Sequence, residues 1–425
     1  MTDAPIDFST DAPAKGSLDV RWIHGAPARR KAAQRNADDP PIQVHQHDPH
    51  TVIMRQSKSV NYEAPFLFLL FGNDRALLLD TGATEDPETF PLRATVDQLI
   101  AGWLAEHRPE QSPGNYELVV AHTHGHGDHV AGDGQFAGRP GTTVVPRELD
   151  DVQKYFGFIG WPEQITTFDL GGRVLEITGS PGHHRAAITV YDPWTGFLLT
   201  GDTVYPGRLY AFDFPQFVAS LDRMVALAES RPVTHVLGCH IEMTSRAGRD
   251  YPLGAGYQPD EPALEMTVGQ LWNVRAAAAS VAGRPGEHRF DDFIIYNEPG
   301  RREQRKLAVR ARVHKIWPTR LGRAAKTAEA RARHIDRPQA RAYDHERRAI
   351  ATLPGRSARW VGRDNRATQA SRYGSPNPSS GSTGNCGLLA GTRHSTGPPP
   401  GSARHGIAAR QHRSGCSPAP RPATR

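Results

Sequence analysis

The sequence predicts an α/β (α+β) fold in which two β-sheets carry helices on their outer faces. From about residue 18 to residue 297, short apolar runs bounded by Gly, Pro, Asn and Asp alternate with amphipathic stretches, a pattern that indicates alternating strands and helices. Strand pairs keep one helix between them and are interrupted by hairpins, which favours two sheets with helices packed outside. No run of about 18 apolar residues occurs, so we expect no membrane-spanning helix.

The individual elements follow from their apolar patterns. Residues 66–71 and 76–79 are apolar runs on either side of Gly72-Asn73-Asp74-Arg75, and they form a predicted hairpin. Residues 92–107 carry an apolar stripe at helical spacing. The other predicted strands are residues 116–121, 143–145, 173–178, 187–191, 197–200 and 234–238, and the other predicted helices are residues 217–228 and 264–281.

Charge divides the chain into two unlike segments. Residues 1–300 contain 24 Lys and Arg against 39 Asp and Glu, net −15, whereas residues 301–425 contain 27 against 6, net +21. The second segment is rich in Arg, Ala, Gly, Pro and Ser, and such a composition buries too little apolar surface to offset the entropy of ordering. We therefore predict a flexible N-terminus over residues 1–17, a globular domain over residues 18–300 and a disordered, basic, low-complexity tail over residues 301–425.

Two interpretations of the basic tail compete. It is either an arm that binds nucleic acid or another polyanion, or the product of a reading-frame shift in a G+C-rich gene. We favour the second interpretation, because the tail has neither interleaved aromatic residues nor a helical face. Nonspecific polyanion contact through the tail is compatible with both.

Cysteine usage and the first 40 residues both indicate a soluble cytoplasmic protein. Cys239 is the only cysteine before residue 300, so no disulfide can form within the first segment. Residues 1–40 are polar and contain no apolar stretch of the kind found in secretory signals.

The strongest functional signal is a histidine-rich run that directly follows the predicted strand 116–121. It reads His122-Thr123-His124-Gly125-His126-Gly127-Asp128-His129. A strand end delivers side chains to a sheet edge, and the two glycines allow the tight turn that aims several of them at one point. Imidazole and carboxylate are ligands that borderline divalent metals prefer. The alternative is a solvated loop that takes up metal only adventitiously.

Three later positions each place a further metal-ligand side chain near a glycine after a predicted strand. They are His183, Asp202 and His240. Each of them alone fits a surface or capping residue equally well. Together with the histidine-rich run, they supply enough ligands for two metal ions.

With these motifs the chain resembles the metallo-β-lactamase superfamily over roughly residues 18–297. Asp80 matches the structural aspartate of the first of the five usual motifs. The resemblance implies a four-layer αβ/βα sandwich with a catalytic dinuclear site between the sheets. It implies one metal on His124, His126 and His183, a second on Asp128, His129 and His240, and Asp202 as the bridge between them.

The implied cofactors are two divalent ions, Zn²⁺ first, with Fe or Mn as alternatives. Two such ions about 3.5–4 Å apart make a bridging hydroxide available near neutral pH. The predicted activity is hydrolysis of a small ester, thioester or lactone, as in glyoxalase II-like and lactonase-like members. Asp128 is the predicted residue that orients the nucleophile and passes a proton to the leaving group.

Several residues near the predicted ligands leave two interpretations open. Tyr205 lies three residues after Asp202, the spacing at which lactonases of this family place a substrate-contacting tyrosine, and core packing is the equal alternative. Arg185 and Arg208 either hold an anionic substrate group or form exposed salt bridges. Cys239 is best interpreted as a small core residue. Residues 250–259 are predicted to rim the pocket.

Particular residues and the net charge argue against several other activities known for this fold. Flavin-linked diiron relatives carry Glu where this chain has His126, which argues against oxygen reduction. True β-lactamases generally lack the bridging Asp and are exported, which argues against antibiotic hydrolysis. A mononuclear iron persulfide dioxygenase is the main alternative. A nuclease is a weaker one, because the net negative charge of residues 1–300 repels a phosphate backbone.

Overall fold

The computed structural model describes residues 5–9, 16–27 and 39–316, with side chains to residue 312. Residues 1–4 and 10–15 of the predicted flexible N-terminus, and the predicted tail beyond residue 316, lie outside the described residues. In chain order the strands are β1 (Ile42–Asp48), β2 (Thr51–Gln56), β3 (Phe66–Phe71), β4 (Arg75–Leu79), β5 (Glu117–Ala121), β6 (Thr142–Val144), β7 (Ile165–Asp169), β8 (Val174–Gly179), β9 (Ile188–Asp192), β10 (Phe197–Gly201), β11 (Arg208–Ala211), β12 (His235–Gly238), β13 (Glu265–Met266), β14 (Gly286–Arg289) and β15 (Ile294–Asn297). The helices are α1 (Leu92–His107), α2 (Gly127–Val130), α3 (Leu149–Phe156), α4 (Phe214–Ser230), α5 (Val268–Ser280) and α6 (Arg301–Ile316), with a 3₁₀ helix at Ala131–Phe136.

Within the described residues, the strands form two six-stranded sheets and one small sheet. The first has the order β1-β2-β3-β4-β5-β6, the second has the order β13-β12-β10-β9-β8-β7, and the third has the order β11-β15-β14. Parallel pairing occurs between β4 and β5, where α1 makes the crossover, and between β10 and β12, where α4 does so. Because parallel strands end at the same sheet edge, the residues after β4 and β5 come together, as do those after β10 and β12.

The core confirms the predicted four-layer αβ/βα sandwich. Side chains alternate across a strand, so Phe66 and Phe68 of β3 face the second sheet, where they join residues such as Leu199 of β10. Leu67 and Leu69 face the other way and pack with the apolar side of α1. On the second sheet, the outward-facing side chains pack under α4 and α5.

The element predictions succeed where the chain is uniformly apolar or strongly periodic. The hairpin β3–β4 and the helix α1 lie where they are predicted, and all six residues of β3 are buried. The helix predicted at residues 264–281 begins only at Val268, because Glu265 and Met266 pair with β12 and Thr267 caps the helix in a capping box with Gln270.

Helix α6 lies in the segment predicted to be a disordered tail. Leu307 is buried against Met243, Ile294 and Tyr296, and Arg310 lies 2.9 Å from the carboxylate of Asp250. Leu307 and Arg310 are three residues apart, so they share one face of an otherwise charged helix. Residues 301–312 therefore differ from the prediction, because two anchoring side chains are enough to dock them. Within the described part of the chain, no helix is both long and apolar enough to cross a membrane.

Candidate metal centre

All seven predicted metal ligands meet between the edges of the two large sheets. The first sheet supplies the loop after β5, which carries His124, His126, Asp128 and His129. The second sheet supplies the residues that follow β8, β10 and β12, namely His183, Asp202 and His240. The side chains form two groups, each close enough to hold one ion.

The first group consists of three imidazole nitrogens. His126 Nδ1 lies 2.9 Å from His124 Nε2 and 3.0 Å from His183 Nε2. Neutral imidazole nitrogens gain little from such an approach by themselves, whereas a shared cation would satisfy all three lone pairs. The three side chains thus have the donor set of a metal site.

The second group combines two imidazoles with two carboxylates. His240 Nε2 lies 3.4 Å from Asp128 Oδ2 and 3.4 Å from His129 Nε2. His129 Nε2 lies 3.6 Å from Asp128 Oδ2. Metal–nitrogen bonds of 2.0–2.1 Å in tetrahedral geometry separate neighbouring ligands by about 3.3–3.4 Å, so these separations suit one divalent ion.

Asp202 contacts both groups through different oxygens. Its Oδ2 lies 3.7 Å from His183 Nε2 and 4.0 Å from His124 Nε2. Its Oδ1 lies 3.4 Å from His240 Nε2 and 3.6 Å from His129 Nε2. This buried Oδ1 has no hydrogen-bond partner, which is costly for a carboxylate oxygen unless a cation neutralises it. The residues present therefore fit two cations that share one carboxylate.

Comparison with known proteins agrees with this geometry. The sequence profile described as the Metallo-beta-lactamase superfamily matches residues 64–262, a span that contains the seven ligands and Asp80. Over these residues the chain is therefore similar to the metallo-beta-lactamase superfamily.

Curated relatives and solved structures resemble the chain more distantly. The hydroxyacylglutathione hydrolase of Synechococcus sp. (strain JA-3-3Ab) is 29% identical over 223 residues, which cover 51% of this chain and 84% of that protein. The hydroxyacylglutathione hydrolase of Rhizobium meliloti (strain 1021) is 24% identical over 229 residues, 52% of this chain and 79% of that protein. The crystal structure of DIM-1 metallo-beta-lactamase is 14% identical with a TM-score of 0.38, covering 57% of this chain and all of that one. A TM-score this low supports no conclusion about function.

A buried aspartate fixes the histidine-rich loop. Asp80 accepts hydrogen bonds from Thr123 N at 2.7 Å, from His129 Nδ1 at 2.9 Å and from Cys239 Sγ at 3.2 Å. Its φ angle of 71° lies in the left-handed region, which Asp adopts more readily than most residues. Because Asp80 accepts a hydrogen bond from the Nδ1–H group of His129, the Nε2 lone pair of His129 faces the second group. This contact pattern is that of a structural aspartate.

Two other ligands are oriented by backbone carbonyl groups. His183 Nδ1 donates to Tyr210 O at 2.9 Å, and His240 Nδ1 donates to Glu63 O at 3.1 Å. In each case the outward nitrogen holds the proton and the inward Nε2 lone pair is left free for a metal. Ala64, next to Glu63, has a φ of 45°, so the backbone is strained where it positions the carbonyl group of Glu63.

The electrostatics of the two groups differ. Burial opposes the charged form of His240, but the carboxylates of Asp202 and Asp128 outweigh it and raise the pKa of His240 to about 9. In the first group, burial lowers the pKa of His183 to about 4 and the pKa of His124 well below its usual range. Negative charge therefore concentrates in the second group, where a cation can replace the protons that balance it.

Tyr205 is placed in the core. Its hydroxyl donates to Arg208 O at 2.6 Å and lies 3.1 Å from Glu242 Oε2. The side chain is buried, and burial raises the pKa of Tyr205 well above its usual range. These contacts favour the core-packing alternative, and a substrate contact by Tyr205 stays a prediction.

The two candidate arginines have other partners. Arg185 is exposed and pairs with Glu148 at 2.6 Å, as the salt-bridge alternative predicts. Arg208 is buried rather than exposed, and its guanidinium is engaged by Glu242, Asp250 and the carbonyl of Tyr251. Arg208 is therefore an internal structural cation.

The Cys239 thiol and the segment 250–259 behave as parts of the scaffold. Burial, followed by the Asp80 carboxylate, raises the pKa of Cys239 well above its usual range, which keeps the thiol neutral and agrees with its interpretation as a core residue. In the segment, Asp250 accepts from Arg208, Arg289 and Arg310. Gln258 and Pro259 line a cleft of about 220 Å³ that is bordered by residues 18–24 and contains no predicted ligand.

Three residues beside the ligands were missed by the sequence reasoning. The ring centroid of His184 lies 5.1 Å from that of His126, and the exposed ring of Phe212 lies 5.7 Å from that of His183. Tyr62 is an exposed phenol next to Glu63, and burial together with the Glu63 carboxylate raises the pKa of Tyr62. Only His184 carries a sequence signal, since it is adjacent to a predicted ligand.

Proposed function

We propose that this protein is a dinuclear metal-dependent hydrolase that cleaves a small ester, thioester or lactone. The observation that carries the proposal is Asp202, whose two carboxylate oxygens face two separate and complete groups of ligands. The hydroxyacylglutathione hydrolases among the relatives support a thioester as the substrate class.

The residues that would hold the metals are those of the two groups. His124, His126 and His183 would hold the first ion, Asp128, His129 and His240 the second, and Asp202 both. Two divalent cations, Zn²⁺ first, supply Lewis acidity there and lower the pKa of a water molecule toward neutrality.

Asp128 is the residue suited to proton transfer. Its side chain is 24% exposed, and its Oδ2 lies near His240 and His129. Burial would raise the pKa of Asp128, but the hydrogen bond from His240 and the charge of His129 hold that pKa well below its usual range. An ionised carboxylate in this position orients a water molecule as an acceptor and relays its proton toward the leaving group.

The mononuclear dioxygenase alternative requires only one iron. A second complete group, in which Asp128 and Asp202 supply two carboxylates, supports two ions over one. The nuclease alternative is weakened by the net charge of −15 over residues 1–300, because such a surface repels a polyanionic backbone.

Metal content combined with a substrate screen tests the proposal. The purified protein should contain about two zinc ions per chain and should hydrolyse at least one thioester, ester or lactone in a panel that also contains phosphodiesters. His126→Ala and Asp128→Ala should each reduce bound metal and nearly abolish hydrolysis without unfolding the protein. The matched control is His288→Ala, because His288 lies on β14 and contacts the backbone of Arg284.

Two outcomes would contradict the proposal. One iron per chain with persulfide oxidation would establish the alternative. Full activity in metal-depleted protein, or in either variant, would exclude the dinuclear mechanism.

A further inference from the structure

An exposed aromatic ring stands at the side of the candidate metal centre that belongs to the first group. Phe212 is 52% exposed, and its ring centroid lies 5.7 Å from that of His183 at an angle of 45°. His183 in turn lies 4.8 Å, ring to ring, from His126, which is only half-buried. Phe212 therefore borders the accessible side of the ligand cluster.

The backbone around Phe212 is held in place on both sides. Two residues before Phe212, Tyr210 O accepts a hydrogen bond from His183 Nδ1. After it, Asp213 N donates to Gly182 O at 3.0 Å, and the Asp213 side chain caps α4 by accepting from Gln216 N. The position of Phe212 relative to His183 is thus fixed by hydrogen bonds.

The ring of Phe212 also continues an aromatic stack. It lies parallel to the ring of Tyr210, at 6.2 Å and 8°, and Tyr210 stacks on the buried Tyr296 at 4.9 Å. A large apolar ring that is rigidly supported yet left in water loses little conformational entropy when a ligand covers it. Binding sites combine such apolar surfaces with a few polar groups, and the metal ligands provide the polar groups here.

The side of the centre that Phe212 borders indicates which part of the substrate it would meet. Asp128, which serves the leaving group in the proposed function, lies in the second group with His240 and His129. Phe212 lies beside the first group. The leaving group and Phe212 are therefore on opposite sides, which leaves the acyl portion of the substrate facing the ring.

We propose that Phe212 is a specificity-determining residue that contacts an apolar acyl group. This inference rests on the proposed function and names its substrate class: esters and thioesters whose acyl chain is apolar and longer than acetyl. If the ring of Phe212 covers one side of each acyl methylene, each methylene should raise the affinity for the substrate about twofold, which is half the logarithmic effect of full burial.

An acyl-chain series tests the inference. N-acetylcysteamine thioesters of acetate, butyrate and hexanoate share one leaving group and differ only in the acyl chain. For the wild-type protein, kcat/KM should rise about 15-fold from acetyl to hexanoyl, about twofold for each of the four added methylenes. Phe212→Ala should remove most of this rise, chiefly through KM, and Phe212→Leu should restore part of it. Changing the leaving thiol at constant acyl group should have the same effect in wild type and Phe212→Ala.

The matched control is Trp272→Ala, because Trp272 on α5 is a similarly exposed aromatic residue, at 49%. Binding of acetate, butyrate and hexanoate to the metal-containing protein, measured by calorimetry, gives a readout that does not depend on turnover. Hexanoate should bind about 15-fold more tightly than acetate, and only Phe212→Ala should abolish the difference.

Failure of this inference and failure of the proposed function are distinguishable. Absence of metal, or of any ester, thioester or lactone hydrolysis, counts against the proposed function. A chain-length preference that is unchanged in Phe212→Ala, or that is lacking in both turnover and carboxylate binding, overturns the role of Phe212.

Discussion

The substitution Arg173→Met should destabilise the protein strongly, because Arg173 joins the two large sheets inside the core. The guanidinium is 1% exposed and pairs with Asp192 in the second sheet. It also donates to His50 O at 2.6 Å, to Phe71 O at 3.1 Å and to Thr51 Oγ1 at 2.8 Å, all in or beside the first sheet. Removing it leaves the carboxylate of Asp192 buried without its cation.

The expected cost follows from that unpaired charge. Breaking a buried ion pair from one side costs about 3–5 kcal/mol. With an entropy of unfolding of about 2.1 cal/mol/K per residue, a domain of about 280 residues changes its melting temperature by about 1.7 °C per kcal/mol. Arg173→Met should therefore lower the melting temperature by about 5–8 °C.

Urea denaturation and calorimetry of the metal-saturated protein measure the effect. The matched control is Arg275→Met, because the pair that Arg275 forms with Asp222 is exposed and should contribute about 0–1 kcal/mol. The double variant Arg173→Met/Asp192→Leu should regain much of the loss, since it leaves no charge unpaired. A loss below about 1 kcal/mol in Arg173→Met, or a double variant no more stable than the single one, would refute this reasoning.

Three further outcomes are expected. Asp202→Ala should lower the metal content, whereas Tyr205→Phe should leave it unchanged and cost about 1–2 kcal/mol of stability through the lost hydrogen bond to Arg208 O. Equal metal loss in the two variants, measured by elemental analysis, would contradict the ligand assignment. Leu307→Ala should lower the free energy of unfolding, measured by urea denaturation, by about 2 kcal/mol. Val309 is 57% exposed on the same helix, so Val309→Ala should change it by less than about 0.5 kcal/mol, and equal effects would show that α6 is not docked through Leu307. Burial lowers the pKa of Lys58 to about 8, so between pH 8 and about 10.5 the unfolded chain holds a proton that the folded protein has lost, and the free energy of unfolding should rise with pH. Lys58→Met should flatten this rise in denaturation curves at pH 8 and pH 10, and an unchanged slope would exclude Lys58 as its source.

The strands β1 and β11 are not predicted from the sequence. β1 has the sequence IQVHQHD and no buried residue, and it forms because its backbone pairs along β2. β11 is only four residues long and carries Arg208, whose charge is balanced by Glu242 and Asp250 far along the chain. Such pairings depend on tertiary contacts, which local patterns do not contain.

The predicted ligands could be identified from sequence because metal binding requires particular side chains. Their supporting groups could not be identified, since His183 and His240 are oriented by the backbone carbonyl groups of Tyr210 and Glu63. Any residue can supply a carbonyl group, so these positions leave no mark in the amino-acid sequence. Phe212 is hidden for a similar reason, because its place beside His183 follows from the pairing of separate chain segments.

Thermal stability and function depend on the same carboxylate at Asp80, despite its left-handed backbone. In Asp80→Gly, glycine would adopt the φ of 71° without strain, a gain of at most about 1 kcal/mol. The same replacement would release Thr123 N, His129 Nδ1 and Cys239 Sγ at once. Each buried donor left without its acceptor would cost about 1–3 kcal/mol. Directed evolution for heat resistance should therefore reject glycine at this site and accept only asparagine, because asparagine also tolerates this conformation and keeps one acceptor oxygen.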